Sequence, residues 1–343
     1  MRLFLLYIKE RMAWILFFSI FQLWINFLLT IDVTFSNISL LYMNTINLFL
    51  FLVFFLSRFF LETRFINDVL SIREENSTFD QLIAKLPDGQ SLFDRIIMDE
   101  FQELILLGKQ ELHDSKLNFL EDKDQTLSWI HEMKTPLTSM KLMLDNVQDP
   151  TLQKKLEVEW LRMHMLLDQQ LYKTRLPFIE KDNVMEEVNL QRVIFQEIKE
   201  LMPWCIQRSI GFETKNLDIV TLTDQKWLSF ILRQLISNAV KYSKENREIR
   251  IFTTTDKLGH LILSIQDEGV GISQADLPRI FDKSFTGRVG RESSASTGMG
   301  LYLAMNSAEK LGITISVISE VNLGSTFSLH FPLQNEMQQI LGR

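Results

Sequence analysis

The sequence predicts a multi-domain chain: two transmembrane α-helices, a helical linker, a helical hairpin that pairs into a dimeric four-helix bundle, and a carboxy-terminal domain mixing helix and strand. Three patterns predict it. Two runs of about twenty apolar residues each stand at the amino-terminal end. From Ile130 to Val147, apolar residues recur at alternating steps of three and four. Beyond Trp227, helical spacing gives way to short β runs followed by paired glycines.

Residues 1–60 read as a membrane anchor. Ala13 to Ile31 and Ile38 to Ser57 are each long and apolar enough to cross hydrocarbon as helices. No small-residue cleavage site follows the first run, which argues against a cleaved signal peptide. Lys9, Arg11, Arg58 and Arg64 flank the pair while the connection carries only Asp32, so both termini are expected in the cytoplasm. The connection is roughly half a dozen residues, far short of an independently folding domain. It has no room for an extracytoplasmic ligand-binding domain. Gln22 with Asn26, and Asn44 with Asn47, put amides on helical faces within the spans. There they join the spans to each other, join protomers, or bond a partner's helix.

Residues 61–110 form the linker. Leu86-Pro87-Asp88-Gly89 interrupts a helical pattern, so helix, connector, helix is the expected order, loosely like a HAMP module. Leu117, Leu120, Asp124 and Leu127 then make a seam whose register differs by one residue from the seam starting at Ile130, which suggests a packing balanced between two arrangements.

In the hairpin, residues 111–176, Ile130, Met133, Leu137, Met140, Leu144 and Val147 line one helix. Leu156, Trp160, Met163, Leu167 and Leu171 line a second, after the turn Gln148-Asp149-Pro150-Thr151. Two helices cannot close a core alone, so the hairpin is expected to pair with a second copy. His131 falls at the edge of the apolar stripe, where packing does not account for it. Glu132 lies beside it and Thr135 follows one helical turn on. A carboxylate that draws on the Nδ1 proton leaves Nε2 as a nucleophile. Pro136 removes a helix hydrogen bond and lets the helix bend.

Residues 177–334 form the last domain, with 335–343 as a tail. Phe230, Ile231, Leu235, Ile236 and Val240 have helical spacing, which places Asn238 and Lys241 on one polar face. An amide oxygen there suits a hard cation such as Mg²⁺, and the ammonium suits phosphate oxygens. Leu261 to Ile265 is a β run ending at Asp267, ahead of Gly269 and Gly271, where backbone is free to approach a ligand. Gly287 to Ser296 is small and polar and reads as a lid. Gly298 and Gly300 follow where the next helix begins, a place for backbone N–H groups to meet phosphate.

Five blocks in order carry a family resemblance. Trp129-Ile130-His131-Glu132-Met133-Lys134-Thr135-Pro136-Leu137-Thr138 resembles the H-box of sensor histidine kinases, and Gln234 to Ser243 the N-box. Asp267 to Ile272 resembles the first glycine box, Ile280 to Phe285 the F-box, and Ser296 to Leu301 the second glycine box. The resemblance implies an ATP-binding α/β sandwich of the gyrase, Hsp90 and histidine-kinase type. It implies ATP and Mg²⁺ as cofactors, His131, Glu132 and Thr135 as catalytic residues, and Asn238 as the metal contact. Gln234, Asn238, Lys241, Tyr242, Asp267, Gly269, Gly271, Phe285, Gly298, Gly300 and Thr326 are implied at the nucleotide. In this assignment Asp267 accepts from the adenine amino group, Thr326 reaches the adenine ring and Thr135 positions water for dephosphorylating a regulator. Gln234 stands where asparagine is frequent, and Ser296 where a glycine is expected.

The short-loop, two-span design looks like the intramembrane-sensing, BceS-type group that works with peptide-antibiotic ABC transporters. Glu159 to Arg162, Leu166 to Leu171 and Trp204 to Arg208 are similar to that group as well. The resemblance implies a homodimer in the bacterial cell membrane, a transporter permease as detector, and a winged-helix response regulator as phosphoryl recipient. The rivals are a non-catalytic ATP-binding receptor subunit, a direct membrane-stress sensor kinase and a gyrase-like ATPase. Intact Glu132, Asn238 and Asp267 speak against the first, and the H-box against the last. A net charge of −7 disfavours direct nucleic-acid binding. No receiver or DNA-binding domain is expected after Pro332, and Cys205, the only cysteine, excludes internal disulfides and cysteine-cluster metal sites.

Overall fold

The computed structural model describes residues 2–31, 40–72, 79, 81, 83, 86, 92–287 and 297–333. The connection from Asp32 to Asn37, the turn at Pro87 to Gly89, the Arg288 to Ser296 part of the expected lid and the tail 335–343 lie outside these residues. The chain divides into two compact units, Met1–Phe119 and Leu120–Arg343.

In the first unit, α1 (Arg2–Glu10), α2 (Met12–Ile31) and α3 (Leu40–Ile72) pack together. Stretches of α2 and α3, Met12–Ile31 and Leu40–Arg64, are long and apolar enough to cross a membrane, and almost none of their residues is buried. An apolar surface of that extent requires lipid. The two helices run antiparallel: Arg11 bonds Glu62 at 3.0 Å, the rings of Phe18 and Phe51 stack 4.1 Å apart, and Gln22 meets Asn44 and Asn47. Three of the intramembrane amides therefore bond across the two spans. Of the alternatives left open by sequence, the span-joining one holds for Gln22, Asn44 and Asn47. The second helix continues past Ser57 through Phe59, Phe60 and Leu61, with Glu62 paired to Arg58 and Arg11.

Helix α4 (Leu92–Leu144) runs through Pro136 without ending. Asp149 caps α5 (Pro150–Arg175) by accepting from Thr151 N–H at 2.8 Å, and Pro150 opens it with a φ already helical. The hairpin is locked antiparallel by Trp160 Nε1 donating to Leu137 O at 2.7 Å and by Lys141 to Glu157 at 3.0 Å. The seams differ from those expected. Ile130, Leu137 and Leu144 are buried, but Met133, Met140 and Leu117 are exposed; on α5, Val158, Leu161 and Asp168 are buried whereas Leu156 and Met163 are exposed. The physical reason is that a protomer covers only one side of each helix, so the expected seams mix its inner face with a second apolar face. No register break precedes His131: Leu120, Lys123, Leu127, Ile130 and Leu137 follow one continuous line of reduced exposure.

Beyond a turn at Leu176–Phe178 and short α6 (Ile179–Asp182), β1 (Glu186–Asn189) pairs antiparallel with β3 (Val220–Thr223). The main sheet has the order β2-β4-β5-β7-β6, from Gly211–Lys215, Glu248–Thr255, Leu261–Asp267, Gly324–His330 and Thr314–Glu320. Among the described residues only β2 and β4 run parallel. Helices α7 (Leu190–Glu200), α8 (Met202–Arg208), α9 (Gln225–Tyr242) and α10 (Gly300–Lys310) complete the domain. Ile249, Ile251, Leu263, Ile265, Phe327 and Leu329 alternate along their strands and share one core with Leu228, Ile231 and Leu235 of α9.

Arg233 of α9 ties α5 to this core. Its guanidinium, 12 % exposed, bonds Asp168 of α5, Glu197 of α7 at 2.6 Å and Glu200 at 2.9 Å. Burial pushes the Glu197 carboxyl up, against the pull of Arg233. One turn on, the Tyr172 ring stacks 4.0 Å from Phe230 and its hydroxyl donates to Lys226 O at 3.0 Å. Arg233→Met leaves two buried carboxylates without their cation and is expected to cost about 3–5 kcal/mol, read as a fall in the denaturant midpoint of the full chain. A loss below about 1 kcal/mol would show that water already solvates those carboxylates.

Candidate active site

Helix α9 starts where Asp224 accepts from Trp227 N–H at 2.9 Å and ends where Arg208 donates to the carbonyls of Val240, Lys241 and Ser243. A cation on the last carbonyls of a helix satisfies groups with no partner inside it. Arg208 thus fixes the turn that presents Lys241 and Tyr242. One face of α9 is core; the other carries Gln234, Asn238, Lys241 and Tyr242 into a cleft of about 720 Å³.

At one end of the cleft lies Asp267, 6 % exposed at the end of β5. Its Oδ1 accepts from Gly269 N–H at 2.8 Å and from Ser325 N–H at 3.3 Å, which leaves Oδ2 as the oxygen for a ligand. Burial pushes its carboxyl from 3.8 to about 6, against the pull of those two backbone donors. Gly271, Ile272, Ser325 and Phe327 continue this end. Gly269 is not part of the wall; it supports Asp267 from beneath.

At the other end, Phe285, Thr297, Gly298 and Gly300 bring the start of α10 to the cleft. Gly298 has φ +65°, and a Cβ there would meet Phe285 O at 2.5 Å; on Gly300 it would meet Gln234 Oε1 at 2.5 Å. Both glycines let backbone close in, as a helix N-terminus that receives an anion requires. Lys241 is held below the ordinary lysine range by burial and then by the charge of Arg162.

Gln234, Asn238, Lys241, Tyr242, Asp267, Gly271, Phe285, Gly298 and Gly300 thus line one cleft, but Thr326 does not. On β7, Ser325 pairs with Asp267 and Thr326 with Gln266. Alternation along a strand therefore puts Ser325 on the cleft side and Thr326 on the opposite face. Sequence reasoning also missed Arg162 and Gln169 of α5, which line the same cleft. The signal for Ser325 was the strand period counted from Phe327; the α5 residues stood in stretches that resemble the BceS-type group, but nothing local tied them to the cleft, because a helix face acquires its neighbour only on folding.

Asn238 offers one neutral amide oxygen. Among the described residues no group of three or more His, Cys, Asp or Glu side chains could hold a metal ion. That donor set fits a hard cation that arrives with phosphate and keeps water and phosphate as most of its ligands. Cys205 is buried, its thiol pushed up to about 11, and takes no part in the cleft.

His131, Glu132 and Thr135 are exposed on α4. Glu132 accepts from Ser128 Oγ at 3.2 Å, so its carboxylate is turned back along the helix rather than bonded to the ring. The hairpin register set by Leu137 with Trp160 and Lys141 with Glu157 puts His131 level with Leu166 and Leu167 of α5. Leu166 lines the cleft. The imidazole and the cleft share one height on the hairpin.

Residues 223–335 match the family model described as histidine kinase-, DNA gyrase B- and HSP90-like ATPase. The chain is 41% identical over 337 residues to the sensor protein BceS of Halalkalibacterium halodurans, covering 98% of both chains. It is 39% identical to BceS of Bacillus subtilis, again covering 98% of both. Its identity to the sensor protein kinase GraS of Staphylococcus aureus is 36%, covering 96% of this chain and 92% of the relative. Among solved structures, the histidine kinase AdeS of Acinetobacter baumannii is 22% identical with a TM-score of 0.41, covering 60% of this chain and 98% of that one. With near full-length identity to the BceS proteins and an ATPase domain that accounts for the cleft, the chain belongs to the BceS-like sensor histidine kinases, ATP-binding membrane proteins with protein-histidine kinase activity.

Proposed function

We propose that the chain, as a homodimer, autophosphorylates on His131 with ATP and passes the phosphoryl group to an aspartate of a response regulator, reporting cell-envelope peptide antibiotics through a partner ABC transporter. The observation that carries the reading is the common height of His131 and the cleft along the hairpin. Exposed Met133, Met140, Leu156 and Met163 supply the apolar face for a second protomer. Functionally the chain then divides into anchor (1–60), linker (61–110), dimerisation and phosphotransfer hairpin (111–176), ATP-binding domain (177–334) and tail. Both termini face the cytoplasm.

In the transfer, Nε2 of His131 bonds to the γ-phosphorus while the bond to the β,γ-bridging oxygen breaks, and ADP leaves with that electron pair. Glu132 turns from Ser128 to take the Nδ1 proton. Asp267 accepts from the adenine amino group; Lys241 and the N-terminus of α10 bind phosphate oxygens. Asn238, with the phosphates, would hold Mg²⁺, which would supply charge neutralisation. These groups position and stabilise rather than bond covalently. Thr135, exposed one turn after His131, orients water when the regulator is dephosphorylated.

His131→Gln removes the acceptor nitrogen and nothing in the cleft. Labelling with γ-labelled ATP is expected to vanish while nucleotide binding persists. The parent's label should be acid-labile and alkali-stable, and a variant that labels as well as the parent sinks the assignment.

Asp267 yields a pH prediction with a definite sign. Its folded pKa of about 6 lies above 3.8, so its contribution to stability is full below that lower value and is lost as pH rises through about 6. At neutral pH the ionised group costs the empty fold about 2–3 kcal/mol, yet ionised it is the stronger acceptor. Asp267→Asn, with its oxygen kept on the two backbone donors, turns an NH₂ toward the adenine amino group. Affinity is expected to fall by about ten- to a hundred-fold, while the nucleotide-free variant unfolds at higher temperature at pH 7. Parental affinity should decline from pH 7 to pH 5 and that of the variant stay flat. Undiminished affinity in the variant would remove Asp267 from adenine recognition.

Binding energy that shifts a two-state kinase needs more surface than the connection between the spans provides. Replacing most of Asp32 to Asn37 with Gly and Ser should leave the antibiotic response of cells intact, and deleting the cognate permease should silence it. In bilayers, kinase alone should ignore the peptide. A dose-dependent change in its rate without permease would make the kinase a direct membrane sensor.

A further inference from the structure

The wall that α5 contributes to the cleft comprises Arg162, Met165, Leu166 and Gln169, spaced as one helical face. Two contacts locate that wall along the cleft. Thr297 Oγ1 donates to Gln169 Oε1 at 3.0 Å, beside the start of α10, and Gln169 Nε2 would lie 3.4 Å from a Cβ on Gly300. The charge of Arg162 is felt at Lys241. The α5 wall therefore stands at the phosphate end, away from Asp267. Arg162 has Glu159 as its ion-pair partner, at 3.6 Å on a solvated helix face, an interaction weak enough to be exchanged for phosphate.

We infer that Arg162, delivered by the phosphotransfer hairpin, is a catalytic residue whose guanidinium binds γ-phosphoryl oxygens of ATP opposite Lys241 during transfer to His131. The inference rests on the autophosphorylation reading above. A guanidinium forks onto two oxygens of a phosphoryl group and needs no proton change while charge redistributes among them. Because Arg162 comes from the hairpin and not from the ATP-binding domain, the cleft holds its full set of cations only while that domain is docked on α5. The docked position is also the one level with His131. ATP bound in an undocked domain lacks this contact, so transfer is accelerated only at the acceptor.

The test uses the full-length kinase in bilayer nanodiscs. Arg162→Gln is expected to lower the autophosphorylation kcat at saturating ATP by at least about ten-fold and to weaken ATP while sparing ADP in competition for a labelled nucleotide. Arg162→Lys, which keeps the charge and loses the fork, should fall between parent and Arg162→Gln. Glu159→Gln, which removes only the helix-surface partner, should behave as the parent; retained ADP binding reports an intact domain in every variant. Parental kcat and ATP affinity in Arg162→Gln overturn the inference. So does an equal loss of ATP and ADP affinity, or the same loss of rate in Glu159→Gln, since either marks damage to α5. A parent that carries no label on His131 sinks the autophosphorylation reading instead, whereas a parent labelled there beside an equally labelled Arg162→Gln sinks the role of Arg162 alone.

Discussion

The Arg233 guanidinium sits where α5, α7 and α9 meet, among Asp168, Glu197 and Glu200. Taking these charges from water is costly, and their attraction does little more than offset it. Their effect is on geometry. A buried carboxylate on α5 tolerates one rotation of that helix, the one that brings it to the guanidinium; with the Tyr172 and Phe230 stack one turn on, this sets which α5 face meets the cleft. The wall of Arg162, Leu166 and Gln169 follows from that choice, as does the height at which the cleft stands against the hairpin.

Helix α9 links this anchor to the chemistry. Its inner face is aliphatic and shares the core of the sheet, while the polar face carries Arg233 to the hairpin and Gln234, Asn238 and Lys241 to the cleft. Arg208 satisfies its last carbonyls and so holds the turn after Lys241. The two ends of the cleft use opposite electrostatics. One buries a single acceptor, Asp267, at a cost to the empty fold; the other gathers an ammonium, a guanidinium and a helix N-terminus. An adenine nucleotide has the same asymmetry.

In the first unit, polar groups again set the register of an otherwise featureless apolar pair. Gln22 bonds Asn44 and Asn47 across the two spans, and Arg11 reaches across to Glu62, which also pairs with Arg58 along its own helix. In hydrocarbon such groups have few other partners, so their pairing aligns the helices. The outward sides of the pair are left with apolar surface. Helix α4 runs unbroken from Leu92 through His131 to Leu144.

The sequence by itself determined what depends on local periodicity and on residue chemistry at short range: the two spans, the helix that carries His131, the alternating strands, and the glycines at 298 and 300 that only a close backbone approach explains. It determined most of the cleft for the same reason, since Gln234, Asn238 and Lys241 share a helix face and Asp267 ends a strand. Only the tertiary structure decided which face of each hairpin helix is inner, because apolar residues on both sides look alike until a protomer covers one of them: Met133 and Met163 belong to the uncovered side. It also exchanged Thr326 for Ser325, since the parity of a strand relative to Asp267 is set by pairing across the sheet. And it brought Asp168 and Gln169 to partners more than sixty residues away and set Arg162 in the wall of the cleft, placements that no local pattern encodes because they exist only after the chain has folded back.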